Sequence, residues 1–401
     1  MAGSDAGHAL ASLGLAADFA AAGHECIVYT GVRWETAAAR RGLLVCDLPG
    51  LAARPDEDDS DVGAKLSVRA ARMALELAPL LALERIELVV SDSITLAGGW
   101  AAELTGLPWI ELSSHVLYDQ SRGLPPIGAG MAVGVGWRGR MRDGVLRTLG
   151  ARAHARGRAQ RAHARRGIGL PPVPAPAARF VATLPGLEEP RPDWPERTHL
   201  IGPMFFEPTD DEFTVPPGPG PLVMVCPSTA ESGSDELTPV AFAALADLQK
   251  TGDCPGDAPR VVFSGLEPPA DVDETPDGLV AGLGRQDLLL AHADLVICGG
   301  GHGLLAKTLS AGVPTVVVPG GGDQWELANR VDRAGAGVLV RPVTRATMRA
   351  AIAAVLGDPS YAAAAAAVAA TARQITEPVA QAERILDERT LTGRGRGSAC
   401  D

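Results

Sequence analysis

Two short runs of apolar and β-branched residues, 295–298 (LVIC) and 315–318 (TVVV), stand out along the chain because neither alternates with polar positions. A strand buried on one face alternates; an unbroken run suits a strand of a parallel sheet covered on both faces. Each run ends in glycines, Gly299-Gly300-Gly301 and Gly320-Gly321-Gly322. After Gly303, Leu304, Leu305, Ala306 and Leu309 recur at helical spacing, and Gly312 with Pro314 closes that helix. After Gly322, Asp323 stands where a cap would, ahead of Leu327 and Val331. The order strand, glycine turn, helix therefore occurs twice in succession.

Similar units occupy most of the chain. Apolar runs at 26–30, 86–90, 222–226 and 260–264 read as strands, and helical periodicity marks 10–19, 66–83, 362–373 and 379–386. The stretch 202–221, with six prolines, separates two such series and reads as a linker. This predicts two doubly wound, Rossmann-like α/β domains, 1–201 and 222–375, then a helix at 376–389 packing back on the first domain and a disordered tail at 390–401. The segment 55–61 reads as an acidic, solvated loop. One element is wanting. The turn at Gly7-His8 should follow a first strand, but the preceding residues Met1–Ala6 are not strand-like. The first N-terminal strand is expected to be missing, with the true start upstream.

A chain of 401 residues, 46% of them hydrophobic, exceeds one core and supports the two-domain division. No apolar run approaches the roughly 20 residues of a membrane span, and no signal peptide opens the sequence, so the expected location is cytoplasmic. Six scattered cysteines without C-x-x-C spacing read as reduced core thiols. A net charge of −12 argues against nucleic-acid binding. Against that acidity, residues 138–166 hold ten arginines and one acid, Asp143. A solvated basic helical face and a peripheral contact with an anionic membrane through Arg138–Arg166 are the two readings.

The candidate chemistry lies at strand ends. Glycine turns that open helices present free N–H groups and the positive end of the helix dipole, and lacking side chains they let an anion approach closely. A phosphorylated ligand is the natural guest. Ser91-Asp92 and Ser113-Ser114-His115 sit at carboxyl ends of predicted strands, where open α/β sheets place their ligands.

These features resemble the family 1 glycosyltransferases of the two-domain GT-B fold, especially bacterial enzymes that glycosylate natural products. The resemblance runs from Gly7 to about Leu386 and is most specific in Gln286-Asp287, His292-Ala-Asp, the glycine turn, Ala311-Gly-Val-Pro, and Asp323-Gln324 with Asn329. It implies a central cleft between the domains and a nucleotide-diphosphate sugar, UDP- or dTDP-linked, as co-substrate, with no tightly bound cofactor and no metal. Gln286 matches the glutamine that faces the base. Ser228 and Thr229 border the phosphates; Gly300, Gly301, His302, Gly303 and Leu304 match the diphosphate-binding turn; Asp323 and Gln324 match the acid and amide that grip the sugar. His8 matches the catalytic histidine, Asp92 the acid that orients it, and His115 is a second-choice base or acceptor contact. His8 would take the proton of an acceptor hydroxyl as that oxygen displaces the diphosphate directly, with inversion.

Four positions depart from the family pattern, which has histidine at Gly299, threonine or serine at Leu304, an acid at Lys307 and tryptophan at Leu283. His302 is a candidate replacement phosphate contact. Residues 117–135, apolar and rich in Gly and Pro, are expected to line part of a pocket for a small lipophilic acceptor. Two other functions stay open: an NAD-dependent oxidoreductase, because Gly301-His-Gly303-Leu-Leu-Ala306 fits the dinucleotide fingerprint, and a non-catalytic helper. Oligomeric state is unspecified.

Overall fold

The computed structural model describes residues 1–397 apart from 53, 56, 58, 59, 231, 270, 271 and 273. The N-terminal half runs α1 (Ala6–Ala21), β1 (Ile27–Thr30), α2 (Glu35–Ala39), β2 (Leu44–Asp47), α3 (Val62–Leu83), β3 (Val89–Asp92), α4 (Ala97–Leu104), β4 (Trp109–Ser113), α5 (Gly136–Gly167), β5 (Ala178–Val181) and β6 (Thr198–Leu200). The strands pair in parallel as β1-β2 and β3-β4-β5-β6.

The gap between these two sheets is where the sequence expects a strand to be missing, and the first residues fill it. Ala2 N–H donates to Tyr29 O at 3.1 Å on one side, while Asp92 N–H donates to Met1 O at 2.9 Å on the other. Main-chain pairing needs no apolar alternation, so Met1–Gly3 bridges the sheets without a strand-like sequence and leads directly into the turn before α1.

The C-terminal half runs β7 (Leu222–Cys226), α6 (Leu237–Thr251), β8 (Arg260–Ser264), β9 (Val280–Gly282), α7 (Gln286–Leu290), β10 (Leu295–Cys298), α8 (His302–Ser310), β11 (Thr315–Val317), α9 (Gln324–Ala334), β12 (Gly337–Leu339), α10 (Arg345–Gly357), α11 (Pro359–Ala370) and α12 (Pro378–Gly397). Its sheet is parallel, in the order β12-β11-β10-β7-β8-β9. The strands β7 and β10 are buried at every position, as unalternating runs require. Helix α12 crosses back: Ala382 is fully buried with Leu15, Ile110 and Phe180 of the N-terminal half. It continues to Gly397, past the expected boundary at 389, and residues 398–401 of the expected tail lie outside the described residues.

The halves share apolar surface. Val116, Leu184 and Leu187 belong to the same core cluster as Leu305, Leu327 and Val331. Beside them Arg330 donates to Leu187 O at 2.8 Å and pairs with Glu188 at 3.0 Å, and Arg191 pairs with the same carboxylate at 3.0 Å. The described acids of the 55–61 segment are not simply solvated: Glu57 is paired with Arg69 and Arg72, while Asp61 caps α3 and pairs with Arg156 of α5. Of the arginines on α5, Arg165 is wholly buried against Glu103. Arg138, Arg140, Arg152, Arg158 and Arg166 are exposed. Among the described residues no single helix is long and apolar enough to cross a membrane.

Candidate active site

His8 lies in the first turn of α1, and Asp92 ends β3. The bridging segment Met1–Gly3 brings those two places side by side. His8 Nδ1 stands 2.8 Å from Asp92 Oδ1, with the carboxylate side chain wholly buried and the imidazole 22% exposed. The other carboxylate oxygen accepts from the N–H groups of Ile94 at 3.2 Å and Thr95 at 3.0 Å, which fixes its orientation. Since a carboxylate only accepts, Nδ1 carries the proton and Nε2 is left to receive another. Burial is the strongest influence on His8 and opposes its charge, but the hydrogen bond and charge of Asp92, helped by Asp5 and Asp323, hold its pKa above the usual 6.5. Burial likewise opposes the charge of Asp92, and the contacts with His8 and Thr95 N–H outweigh it, so that carboxyl titrates below its usual range. Ser114 Oγ also reaches His8 Nδ1, at 3.1 Å.

His115 is held differently. Its Nδ1 donates to Val116 O at 2.7 Å, and burial pushes its pKa down, so it is a neutral ring with Nε2 as acceptor. That Nε2 is buried without a protein partner, as is Ser93 Oγ. Both residues line a cavity of about 270 Å³ in the N-terminal half, together with Asp92, Trp100, Trp109 and Tyr118. The walls are mixed, with Glu111, Asp119, Arg161 and Arg179 beside the tryptophans, and buried polar atoms left unmatched there are suited to the hydroxyl of a small ligand.

Across the cleft, β10 delivers the first glycine turn to the start of α8 and β11 delivers the second to α9. Gly300 has φ +82°, a conformation that admits glycine readily. Helix α8 begins at His302, two residues before the sequence pattern suggests, with Gly301 at the cap position and the N–H groups of its first turn lacking partners within the helix. Gly303 and Leu304 fall in that turn, Leu304 packing against the C-terminal core. The family's histidine has no room at Gly299: a Cβ there would meet Ser228 Cβ at 2.9 Å and Ser228 N at 3.0 Å.

The other expected donor contacts are engaged with one another. Gln324, 2% exposed, accepts from Gly320 N–H at 2.8 Å and donates to Ser228 Oγ at 3.0 Å. Gln286 donates to Ser264 Oγ at 3.0 Å and accepts from Lys307 at 3.0 Å. Lys307, where the family has an acid, is paired at 2.7 Å with Glu207, so a carboxylate from the linker restores the charge lost on α8. Thr229 is exposed at the turn after β7. Asp323 does not cap α9; its Oδ2 accepts the hydroxyl of Tyr118 at 2.6 Å.

His302 is held inside the fold. It is 8% exposed, its Nε2 is 2.9 Å from Thr183 Oγ1, and burial pushes its pKa down to about 3. In this arrangement it is a neutral ring linked to Thr183 of the N-terminal half. Tyr118 and Glu207 escaped sequence reasoning as individual residues; Tyr118 lies within the 117–135 stretch assigned to the acceptor side, and nothing local in the sequence signals its partner 205 positions away.

The dinucleotide-like fingerprint Gly301–Ala306 follows β10, which comes after β7, β8 and β9 in the chain and lies beside β7 in the sheet. A dinucleotide fold carries its fingerprint on the first strand.

Comparison with known proteins agrees with this architecture. Residues 267–386 match the family model described as Erythromycin biosynthesis protein CIII-like, C-terminal domain. The chain is 28% identical to 4'-demethylrebeccamycin synthase of Lentzea aerocolonigenes, over 88% of this chain and 90% of the relative. Among solved structures it resembles the glycotransferase of kitacinnamycin, with a TM-score of 0.71 and 21% identity, covering 96% of this chain and 97% of the other. It also resembles the glycosyltransferase SsfS6 of Streptomyces sp. SF2575, solved with thymidine diphosphate, with a TM-score of 0.62 and 20% identity, covering 96% and 98% respectively. The fold is GT-B.

Proposed function

We propose that this GT-B glycosyltransferase moves a sugar from a thymidine or uridine diphosphate carrier to a hydroxyl of a small lipophilic acceptor, with His8 as general base. The observation that carries this reading is the His8–Asp92 pair at 2.8 Å, with Asp323 of the C-terminal half near enough to help raise the His8 pKa. The cavity of about 270 Å³ behind Asp92 takes the body of the acceptor, its tryptophan walls supplying apolar contact and His115 Nε2 and Ser93 Oγ the polar matches.

His8 Nε2 removes the acceptor proton while Asp92 holds the tautomer and stabilises the imidazolium that forms. The acceptor oxygen displaces the diphosphate at the anomeric carbon from the opposite face, inverting its configuration. Charge developing on the leaving group is met by the N–H groups opening α8. Ser228 and Thr229 border that group, Gln286 faces the base, and Asp323 with Gln324 takes sugar hydroxyls. A thymidine nucleotide is favoured over a uridine one by the neighbour solved with thymidine diphosphate. The expected setting is the cytoplasm, in keeping with the reduced thiols of Cys26, Cys46, Cys226, Cys254 and Cys298.

The test is transfer from a panel of thymidine and uridine diphosphate sugars to hydroxylated aromatic acceptors, read as acceptor mass gain with diphosphate release. His8→Ala should abolish the gain while leaving nucleotide affinity intact. Retained transfer in that variant, or no nucleotide binding by the wild type, would overturn the reading.

A further inference from the structure

Tyr118 joins the two halves of the site. Its hydroxyl donates to Asp323 Oδ2 at 2.6 Å across the cleft, and its ring stacks on His115 with centroids 4.3 Å apart and planes 23° from parallel. The same ring helps to line the cavity of about 270 Å³ and packs against the core cluster shared by the two halves. A phenol hydroxyl donating to a carboxylate oxygen reproduces what a sugar hydroxyl would do at that atom. While the phenol donates there, one of that oxygen's acceptor places is closed to a sugar hydroxyl.

We infer that Tyr118 is a positioning residue that occupies the sugar-hydroxyl place on Asp323 until the donor sugar displaces it, so that donor loading moves one wall of the acceptor cavity. This rests on the reading of Asp323 as a sugar contact. Burial, together with the neighbouring Asp323 carboxylate, raises the Tyr118 pKa well above 10, so the phenol stays protonated and remains a donor to Asp323. The hydroxyl competes only with the sugar; the nucleoside and diphosphate bind elsewhere and are indifferent to it.

That separation supplies the experiment. Binding of thymidine diphosphate and of thymidine diphosphate glucose is measured by calorimetry on the full chain, as wild type, Tyr118→Phe and Asp323→Asn. Phenylalanine keeps the stack on His115 and removes only the competing hydrogen bond. The glucose nucleotide should bind Tyr118→Phe about ten- to a hundredfold more tightly than wild type, the range expected for removing one competing charge-assisted hydrogen bond, while thymidine diphosphate binds both equally. In turnover the change should appear as a lower donor KM with little change in kcat. Weaker binding of the glucose nucleotide by Tyr118→Phe would show that the hydroxyl assists the sugar, and an equal shift for both nucleotides would show a merely structural role. Either result overturns the inference. If Asp323→Asn binds the glucose nucleotide as the wild type does, or if glucose adds nothing to the affinity of either protein, the underlying reading of Asp323 fails as well.

Discussion

Replacing Asp92 by asparagine isolates the step on which the chemistry depends. The amide has nearly the shape of the carboxylate, and its oxygen can still accept from the N–H groups of Ile94 and Thr95, at 3.2 and 3.0 Å in the native protein. That leaves an NH2 group facing His8 Nδ1 across the 2.8 Å contact. Two donors cannot share the contact, so the imidazole moves its proton to Nε2, the nitrogen that has to receive the acceptor proton. The buried charge that would stabilise the imidazolium is lost in the same change. General-base catalysis is worth about 10²- to 10⁴-fold, so kcat should fall by that factor, equivalent to roughly 3–5 kcal/mol in the barrier. On the proposed reading the nucleotide binds at the glycine turns, away from the dyad, so donor affinity should change less than about twofold, well under 1 kcal/mol. The assay is kcat by acceptor mass gain alongside nucleotide calorimetry and a melting curve. A variant that folds, binds nucleotide and keeps a third or more of wild-type kcat would refute the assignment of Asp92.

The remaining predictions concern titration and packing. Because the His8 pKa is raised, kcat/KM should climb with pH through a midpoint above 6.5, as the imidazole loses its proton, and a flat profile between pH 6 and 8 would count against His8 as the base. For stability the sign is opposite: the His8 contribution is full below about pH 6.5 and fades as pH rises through its higher folded value, a decline visible in melting temperature and absent from His8→Ala. His302→Ala should leave thymidine diphosphate affinity within about twofold yet lower stability by roughly 1–3 kcal/mol, since it leaves the Thr183 hydroxyl unmatched; a tenfold loss of diphosphate affinity would reinstate His302 as a phosphate contact. Glu188→Ala strips the shared carboxylate from Arg191 and Arg330, which are 1% and 7% exposed at their side chains. Denaturant unfolding should show a loss of about 3–5 kcal/mol, and a loss under 1 kcal/mol would mean that water or another acid replaces it.

Much of this protein was legible from the chain alone. Unalternating runs such as 222–226 and 295–298 announce strands covered on both faces, because a polar side chain buried there would need a hydrogen-bond partner to offset its desolvation. Glycine turns announce close approach, since the missing Cβ is a local property. The likeness to GT-B enzymes placed His8 with Asp92, and the contact is present. What tertiary structure alone decided is where side chains find their partners. Asp323 could cap its own helix by local rules, yet its carboxylate goes to Tyr118. His302 reads locally as a residue of a glycine turn, and only the fold shows it buried as a neutral ring against Thr183. Lys307 reverses a family charge, and only the folded linker shows Glu207 compensating at 2.7 Å. Met1–Gly3 fails every strand pattern and still joins two sheets, because the hydrogen bonds that hold it belong to the main chain. Periodicity and turn chemistry act over a few residues and are written in order along the sequence; desolvation and pairing depend on what other segments bring, and no single stretch contains them.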